Sequence, residues 1–394
     1  MHDVRTQVGI IGAGPAGLTL ALLLAREGIE SVVIESRSRE YIEQRVRAGL
    51  LEQNTVDVLH ELGVGERLDR EGLEHHGIYL RSRGETLHIA ISELTGRQIT
   101  VYGQQEVVKD LVAARITSGG ELHFDVSEVA VDALDSDAPR IRFMRSDTEH
   151  EIACDFIAGC DGFHGVCRAA IPQGYLTEHE YSYPFSWLGI LAEAAPSTDE
   201  LIYAWHERGF ALYSMRSPSV SRLYLQVPND TPLDDWPDER IWEELQLRFA
   251  SDGWAVNEGP IFEKGVTPMR SFVAEPLRYG SLFLAGDAAH IVPPTGAKGL
   301  NLAVNDVRLL AAGLRDWYAN GDATGLERYS ERALRRVWRA QDFSNYMTQL
   351  LHQLGGGDFD RQLQLARLDY LGRSSAAATS LAENYAGLPA TSDF

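Results

Sequence analysis

The residues with the clearest chemical potential lie in one stretch, residues 282–302, where an apolar run leads into an acid, a proline-rich loop and a helix. The run 282–285 predicts a buried strand, which leaves Asp287 at its carboxyl end, where open α/β sheets hold ligands. A carboxylate there suits the hydroxyl of a sugar alcohol. The helix predicted from Leu300 to about Trp317 would turn its first N–H groups, and their partial positive charge, toward the same crevice. A ring that becomes negative on reduction, as a flavin does, is the ligand this arrangement favours.

The amino-terminal residues carry a complete dinucleotide fingerprint. Residues 5–11 predict a strand, residues 18–26 a helix and residues 31–34 a second strand. Between the first strand and the helix, Gly12, Gly14 and Gly17 form G-x-G-x-x-G, which allows a tight turn and a close approach of backbone to pyrophosphate. Glu35, at the end of the second strand, is the acid that accepts ribose hydroxyls.

Arginine is dense in residues 36–47. Arg45 and Arg47 lead into an apolar run that reads as buried, and arginines entering a buried loop bind phosphates or carboxylates. Arg37 and Arg39 fit a solvated helix face equally well. Gln104, between a predicted strand (98–102) and a predicted helix (106–117), is placed to contact the same ligand.

A second strand followed by a turn lies in residues 153–168, with Asp161 and Gly162 at the end of the strand. Taken alone, Asp-Gly is only a turn signal. The chain has one G-x-G-x-x-G, so a second nucleotide, if one is used, has no dinucleotide domain of its own.

The charge balance limits the class of partner. Lysine and arginine total 36 against 57 aspartate and glutamate, a net charge of −21, so the general field repels nucleic acid and anionic membranes. We therefore expect small-molecule partners, with any anionic substrate held by a local arginine. The three cysteines have no C-x-x-C spacing, which fits a reducing cytoplasm and predicts no metal site.

One stretch resembles a signal sequence or a membrane span, because residues 8–25 carry no charge. Glycine or proline interrupts it four times between Gly12 and Gly17. A strand, turn and helix explain those breaks and a spanning helix does not, so we expect no membrane segment.

The sequence between residues 181 and 272 predicts mainly β-strands. The strands are predicted at 183–191, 201–206, 209–216 and 222–227, and a helix is predicted at 238–250. Together with residues 77–90, this region predicts a separate sheet that lies over the crevice and carries the substrate. We expect an α/β fold with three parts: a discontinuous Rossmann-like domain (1–76, 97–180 and 268–320), an interleaved α+β substrate domain (77–96 and 181–267), and a carboxyl-terminal helical region (321–394).

Several segments occur together, in the same order and at the same spacing as in a known family: residues 12–17, 45–53, 160–164, 200–204, 209–217, 286–301 and 382–388. On these segments the chain resembles the flavin-dependent aromatic hydroxylases with a single flavin domain, over nearly its whole length. The resemblance implies FAD, reduction by NADH or NADPH, and reaction with O2 to give a C4a-hydroperoxide. It implies hydroxylation of an aromatic acid, 4-hydroxybenzoate, to 3,4-dihydroxybenzoate, by a cytoplasmic homodimer that pairs through its carboxyl-terminal helices.

The resemblance also assigns the residues that bind the substrate. It gives the carboxylate to Arg216, helped by Ser214 and Tyr224. Independently of the family, Ser214 and Arg216 alternate on one face of a predicted strand, and an arginine fork grips a carboxylate with two hydrogen bonds. The plain alternative for Arg216 is a solvated strand arginine.

By the same resemblance, Tyr203 contacts the substrate oxygen and Tyr385 continues a proton relay, for which phenols have suitable acidity. His75 stands where the relay reaches solvent, although the adjacent His76 competes for that role, and an exposed histidine near a turn is the plain alternative. Pro294 falls at the backbone carbonyl that contacts the substrate hydroxyl.

For the flavin, the resemblance assigns a set of binding residues and gives Lys298 the role of a positive charge near the crevice. Arg47 is shared between the flavin and the nicotinamide. The remaining residues of this set are Glu35, Arg45, Gln104, Asp161, Asp287, Leu300 and Asn301.

The chain departs from the well-known NADPH-dependent members after Glu35, where it has Ser36 and Arg37 in place of Arg-Gln. A 2′-phosphate needs a fixed arginine, so the choice between NADH and NADPH stays open. A second departure is Trp205, beside Tyr203.

Three alternative functions fit the sequence less well. A hydroxylase of a related para-substituted acid such as 4-aminobenzoate is disfavoured by the tyrosine relay, because an aniline has no comparably acidic proton. A non-catalytic binding protein on the same fold would have an eroded flavin site, whereas the acids and glycines are present. A flavin halogenase would carry a tryptophan motif that the sequence lacks.

Overall fold

The structure is a computed structural model that describes residues 2–45 and 49–389. Its strands, in chain order, are β1 (His2–Arg5), β2 (Val8–Ile11), β3 (Ser31–Ile34), β4 (Leu50–Glu52), β5 (Leu73–His75), β6 (Ile78–Ser82), β7 (Glu85–Ile89), β8 (Ile99–Val101), β9 (Glu121–His123), β10 (Ser127–Asp132), β11 (Arg140–Arg145), β12 (Thr148–Ala153), β13 (Phe156–Gly159), β14 (Thr177–Ala192), β15 (Ile202–Trp205), β16 (Ala211–Ser217), β17 (Val220–Val227), β18 (Ile261–Glu275), β19 (Arg278–Tyr279), β20 (Leu282–Leu284) and β21 (His290–Ile291).

The helices alternate with these strands in the first part of the chain and dominate the last. They are α1 (Pro15–Arg26), α2 (Arg39–Gln44), α3 (Gln53–Glu61), α4 (Glu66–Glu71), α5 (Ile91–Thr95), α6 (Gln104–Thr117), α7 (Val166–Ala169), α8 (Asp238–Arg248), α9 (Gly299–Asn320), α10 (Thr324–Glu327), α11 (Tyr329–Leu351), α12 (Gly357–Arg373) and α13 (Ser375–Ala386). Short 3-10 turns occur at Leu233–Asp235, Gly286–Ala288 and Pro294–Gly296.

The first sheet has the order β19-β20-β13-β2-β3-β9, and its strands run parallel except for β19. Strands β2 and β3 are buried along their whole length, as expected for parallel strands that helices cover on both faces. Because parallel strands end at the same edge, Gly12, Glu35, Asp161 and Asp287 all follow strand ends at one edge of this sheet. This edge is called the crevice below.

The second sheet has the order β21-β18-β14-β17-β16-β15-β6-β7, so residues 78–89 join the later strands, as the sequence predicts. One face packs on α8 through a core that includes Ile202, Tyr213 and Leu245. The other face shares a core with the carboxyl-terminal helices, and Tyr203 and Tyr385 both belong to it. The predicted strands of this region all overlap observed strands, and β14 is longer than the predicted segment. Strand β18 was not predicted.

Two smaller sheets complete the described part of the chain, with the orders β1-β12-β11-β10 and β4-β8-β5. The predicted strand 5–11 is divided: Arg5 belongs to β1, which pairs with β12, while residues 8–11 form β2, which pairs with β3 and β13 in the first sheet. None of the helices described is long and apolar enough to cross a membrane.

Candidate active site

The three glycines of the loop after β2 differ in the space around their Cα atoms. Gly12 has φ +106°, and a methyl group there would stand 2.2 Å from the carbonyl oxygen of Cys160. A methyl group at Gly17 would stand 2.0 Å from the carbonyl oxygen of Gly12. At Gly14, by contrast, no described atom lies within 4 Å of that position. Gly12 and Gly17 therefore allow close packing of the loop, and Gly14 leaves room for a ligand at the start of α1.

Glu35 connects the ends of β2 and β3 through its carboxylate. One oxygen accepts a hydrogen bond from the N–H of Ala13 and the other from the N–H of Arg37, each at 2.8 Å. Carboxylate oxygens have further lone pairs, so Glu35 can still accept hydroxyl groups of a ribose at the crevice.

Asp161 follows β13 at the same edge of the sheet, and one of its carboxylate oxygens can accept a hydrogen bond from a ligand. Its Oδ2 accepts from the N–H of Cys167 at 2.9 Å, while its Oδ1 is buried and makes no hydrogen bond to any described residue. Burial raises the pKa of Asp161 above its ordinary value. A buried carboxylate oxygen without a partner fits a cofactor hydroxyl or amide that would complete it.

Asp287 lies exposed on the turn that follows β20. Two buried residues, Asp306 and His290, hold this turn in place. Asp306 of α9 accepts from the N–H of Gly286 at 3.0 Å, and its Oδ2 lies 2.6 Å from Nε2 of His290. Burial lowers the pKa of His290, but the charge of Asp306 and the hydrogen bond with it outweigh burial and leave the pKa raised. The pair thus fixes the turn that presents Asp287.

The start of α9 carries a cluster of three charged side chains, two of them buried, that was not predicted from the sequence. Lys298 Nζ lies 2.7 Å from Glu52 and donates to the carbonyl oxygen of Tyr385 at 2.8 Å, while Arg336 binds the other oxygen of Glu52 at 2.6 Å. Burial raises the pKa of Glu52, but Lys298 and Arg336 outweigh burial and leave the pKa lowered. Two cations and one anion leave a charge of +1 here, which favours an anion in the crevice.

Asn301 and Leu300 hold the first turn of α9 in place in different ways. Asn301 accepts from the N–H of Glu52 at 2.9 Å and donates to the carbonyl oxygen of Leu50 at 3.0 Å. Leu300 is half-buried and packs against the core of the first sheet. Asn301 therefore ties the helix that faces the crevice to β4.

The substrate-side residues share one face of the second sheet. Tyr203 lies opposite Leu212, and Leu212 lies opposite Tyr224, so all three point to the same side. Ser214, two residues beyond Leu212 on β16, follows on that side as the sequence predicts. Arg216 falls where the register of β16 shifts between Met215 and Ser217, and its hydrogen bond with Tyr224 places it on the same side. Burial lowers the pKa of Arg216 to about 10, although the hydrogen bond with Tyr224 opposes this shift. A desolvated guanidinium on this face is suited to a carboxylate ligand.

Arg222 belongs to the same face and was missed in the sequence. It lies opposite Ser214 and stacks over the ring of Tyr224 at 5.1 Å, and its buried Nε and Nη1 have no hydrogen-bond partner among the described residues. Its position two residues before Tyr224 on one strand was the signal that could have identified it.

The two predicted relay tyrosines meet. The phenol oxygens of Tyr203 and Tyr385 are 2.6 Å apart, and the side chains are 1% and 0% exposed. Burial raises the pKa of both phenols, so both hold their protons at neutral pH and can pass a proton by exchange.

His75 and His76 have opposite environments. His75 is 1% exposed, neither of its ring nitrogens has a hydrogen-bond partner in the described ranges, and burial lowers its pKa to about 4. His76 is exposed, and its Nδ1 lies 3.1 Å from Oγ of Ser92. The alternative interpretation, an exposed histidine near a turn, therefore describes His76 and not His75.

The remaining predicted residues are placed as follows. The carbonyl oxygen of Pro294 accepts from the N–H of Ala297 at 2.9 Å and retains a second lone pair. Gln104 is the first residue of α6, and Arg45 lies at the end of α2, exposed, with its guanidinium 5.8 Å from the ring centre of Tyr41. Arg47 lies outside the described residues. The three cysteines have free, buried thiols, and no metal-binding group is found among the described residues.

The chain is similar in sequence to known proteins. Residues 5–344 match the family model described as FAD binding domain. Over 392 residues, which are 99% of this chain and 97% of the other, the chain is 49% identical to p-hydroxybenzoate hydroxylase of Acinetobacter baylyi. It is 26% identical to 3-amino-4-hydroxybenzoate 2-monooxygenase of Streptomyces cremeus, over 100% of this chain and 99% of that protein.

Solved structures share the fold. The crystal structure of p-nitrophenol 4-monooxygenase from Pseudomonas putida superimposes with a TM-score of 0.80 at 19% identity, covering 99% of this chain and 100% of that one. A ternary complex of aklavinone-11 hydroxylase with FAD and aklavinone has a TM-score of 0.73 at 22% identity and covers 89% of this chain and 70% of that one.

Proposed function

The chain belongs to the flavin-dependent aromatic hydroxylases that carry this FAD binding domain, and we propose that it is a monooxygenase that converts 4-hydroxybenzoate to 3,4-dihydroxybenzoate with NADH or NADPH and O2. The full-length identity to a p-hydroxybenzoate hydroxylase supports this function. The structural observation that carries it is the common sheet face of Arg216 and Tyr203, which offers an anion-binding end and a phenol-binding end. Bound FAD would accept electrons from the nicotinamide and activate O2 for transfer of one oxygen atom to the ring.

We assign the flavin to the crevice. Gly14 and the start of α1 would receive the pyrophosphate, and Glu35 the ribose. Asp161 and Asp287 would bind hydroxyl or amide groups farther along, and the unsatisfied Oδ1 of Asp161 supports that role. The positive cluster at Lys298 and the start of α9 would stabilise negative charge on the reduced ring. Arg45, Arg47, Gln104, Leu300 and Asn301 complete the assigned set.

On the substrate side, Arg216 would hold the carboxylate with help from Ser214 and Tyr224. The substrate phenol would donate to Tyr203, Tyr203 to Tyr385, and the proton would continue toward His75. Burial keeps His75 neutral at pH 7, because its pKa is about 4, so a ring nitrogen is free to accept. Loss of the phenol proton makes the ring carbon ortho to the oxygen a better nucleophile. The second lone pair of the Pro294 carbonyl supports its proposed contact with the substrate hydroxyl.

We propose that NADH serves at least as well as NADPH. Arg39 is engaged with Glu43 at 2.6 Å, and Arg37 lies over the ring of Tyr41 at 5.3 Å, so neither arginine is committed to a 2′-phosphate. Ser36 replaces the arginine that follows the acid in the NADPH-dependent members.

We further propose a cytoplasmic homodimer whose chain comprises a discontinuous FAD domain (1–76, 97–180 and 268–320), an interleaved substrate domain (77–96 and 181–267) and a carboxyl-terminal helical region (321–394). The free thiols of the cysteines support the location. An apolar stripe on α12 supports the dimer, since Phe359, Leu363 and Tyr370 lie on one face and are 74%, 40% and 59% exposed.

The experiment that tests the function is product analysis with isotopically labelled O2. Purified holoenzyme is incubated with 4-hydroxybenzoate and with NADH or NADPH in parallel, and the product is identified by mass spectrometry. We expect faster oxidation of the nicotinamide when the substrate is present, and one labelled oxygen atom in 3,4-dihydroxybenzoate. Oxidation that the substrate does not accelerate, with no hydroxylated product, would reject the proposal, and 4-aminobenzoate as a parallel substrate decides the alternative.

A further inference from the structure

Helix α11 presents a buried polar stripe to the loop that contains Pro294. The α11 polar stripe consists of Gln341, Ser344 and Thr348, which are spaced three and four residues apart and therefore share one helix face. They are 5%, 0% and 0% exposed. Polar side chains that a chain buries this deeply require hydrogen-bond partners. Two of the partners found for this stripe, Ile291 and Thr295, lie in the loop, and the other two are carbonyl oxygens of β18 and of α11 itself.

The stripe is hydrogen-bonded to the loop formed by residues 291–297 at two places. At the start of the loop, Nε2 of Gln341 donates to the carbonyl oxygen of Ile291 at 2.7 Å. Farther along the loop, Oγ1 of Thr348 lies 3.0 Å from Oγ1 of Thr295. Pro294 lies between these two attachments, next to Thr295.

The directions of these hydrogen bonds follow from the number of protons. Thr348 Oγ1 is also 2.7 Å from the carbonyl oxygen of Ser344, which can only accept. The single hydroxyl proton of Thr348 is therefore used within the helix, and Thr295 must donate to Thr348. Thr295 is 1% exposed, so loss of this acceptor would leave its hydroxyl buried and unsatisfied.

The loop has no space in which to shift toward the helix. A methyl group at Gly296 would stand 2.6 Å from Oγ of Ser344 and 3.3 Å from Cδ1 of Phe343. The helix thus touches the loop backbone directly, and the position of one determines the position of the other.

From these contacts we propose that Thr348 and Gln341 are positioning residues for the reaction: they fix the 291–297 loop so that the carbonyl of Pro294 meets the substrate hydroxyl. The inference rests on the proposed function for the contact with substrate. The placement of the loop itself does not depend on which aromatic acid is the substrate.

The test compares two substitutions at one position in the holoenzyme. Thr348→Val keeps the shape and removes the hydroxyl, whereas Thr348→Ser keeps the hydroxyl. For Thr348→Val we expect the amides of Thr295, Gly296 and Ala297 to exchange hydrogen about tenfold faster. We also expect the ratio of hydroxylated product to oxidised nicotinamide to fall on the order of tenfold, with the dissociation constant of FAD unchanged.

Thr348→Ser should match the wild type in both measurements, and Gln341→Met should reproduce the effects of Thr348→Val from the other end of the loop. Wild-type exchange and coupling in Thr348→Val would overturn the inference, as would equal impairment of the serine and valine variants, which would point to packing alone. If the wild-type enzyme does not hydroxylate 4-hydroxybenzoate, the proposed function fails, and the exchange rates still decide whether the stripe fixes the loop.

Discussion

The phenol oxygens of Tyr203 and Tyr385 lie 2.6 Å apart although 182 residues separate them in the chain. Tyr203 belongs to the substrate sheet and Tyr385 to the last helix, α13, so the contact joins two parts of the fold at a buried point. A pair of buried phenols in contact can transfer a proton without admitting water to the site.

Tyr203→Phe should interrupt this transfer while leaving flavin chemistry intact. We expect FAD to bind as in the wild type, the product formed per oxidised nicotinamide to fall at least about tenfold, and hydrogen peroxide to rise correspondingly. The measurement is a parallel assay of nicotinamide, 3,4-dihydroxybenzoate and peroxide. Tyr213→Phe, on the opposite face of the same sheet, is the matched control and should remain coupled. A fully coupled Tyr203→Phe would contradict the relay.

Arg216→Lys should weaken substrate binding, because an ammonium cannot form the two parallel hydrogen bonds of a guanidinium. We expect a loss of about 2–4 kcal/mol in binding free energy, read from a titration of flavin fluorescence with 4-hydroxybenzoate. Arg208→Lys, an exposed arginine paired with Glu244, should leave the dissociation constant unchanged. An unaltered constant in Arg216→Lys would remove the arginine from the carboxylate site.

The buried, neutral His75 should make the protein less stable in acid. Its pKa is about 4 in the folded protein against an ordinary value of 6.5, so the unfolded chain binds the extra proton first as the pH falls. The contribution is present above pH 6.5 and is lost as the pH falls from 6.5 toward 4. Between pH 7.5 and 5.5 we expect the wild type to lose about 1.4 kcal/mol more unfolding free energy than His75→Asn.

Urea unfolding at these two pH values provides the measurement. His76→Asn is the control at the neighbouring exposed position and should follow the wild type. The same pH dependence in His75→Asn as in the wild type would show that His75 is not held neutral.

Glu52→Gln should destabilise the protein strongly, because the buried charge of Lys298 and the half-buried charge of Arg336 would lose their shared carboxylate. We expect a loss of about 3–5 kcal/mol in unfolding free energy by urea titration. Glu331→Gln removes an exposed carboxylate that pairs with Arg335 and should leave the unfolding free energy nearly unchanged. Similar losses in the two variants would mean that burial does not strengthen the cluster.

Charged residues on the α12 stripe should separate the proposed dimer. The double variant Phe359→Glu and Leu363→Glu places two carboxylates in the middle of the apolar face, and we expect the mass measured by light scattering to fall from that of a dimer to that of a monomer. Arg361→Glu, between them in sequence, is a control for charge on the same helix. A monomeric wild type, or a double variant that remains dimeric, would exclude this face as the interface.

The fold and site could be predicted where the signals are local in sequence. The glycine loop, Glu35, and the alternation of Ser214 and Arg216 along a strand are short-range patterns, and the structure has the strand, turn and helix that they predict. The cluster at Glu52 was not predictable in this way, since 246 residues separate Glu52 from Lys298 and 284 separate it from Arg336. The burial of His75 depends on how the sheets and helices pack, which no local pattern specifies. Strands β10, β11 and β12 were also missed, because they bury few apolar side chains, those of Ile141, Phe143 and Ile152.

The first sheet has a consequence for how this protein folds. Its adjacent strands β2, β13 and β20 come from residues 8–11, 156–159 and 282–284, so the cofactor crevice exists only after distant parts of the chain have joined. A ligand that binds only the assembled form adds its binding energy to the stability of the whole. Cofactor retention during purification should therefore report on the integrity of the entire protein, and a substitution far from the crevice can reveal itself first as a loss of yellow colour.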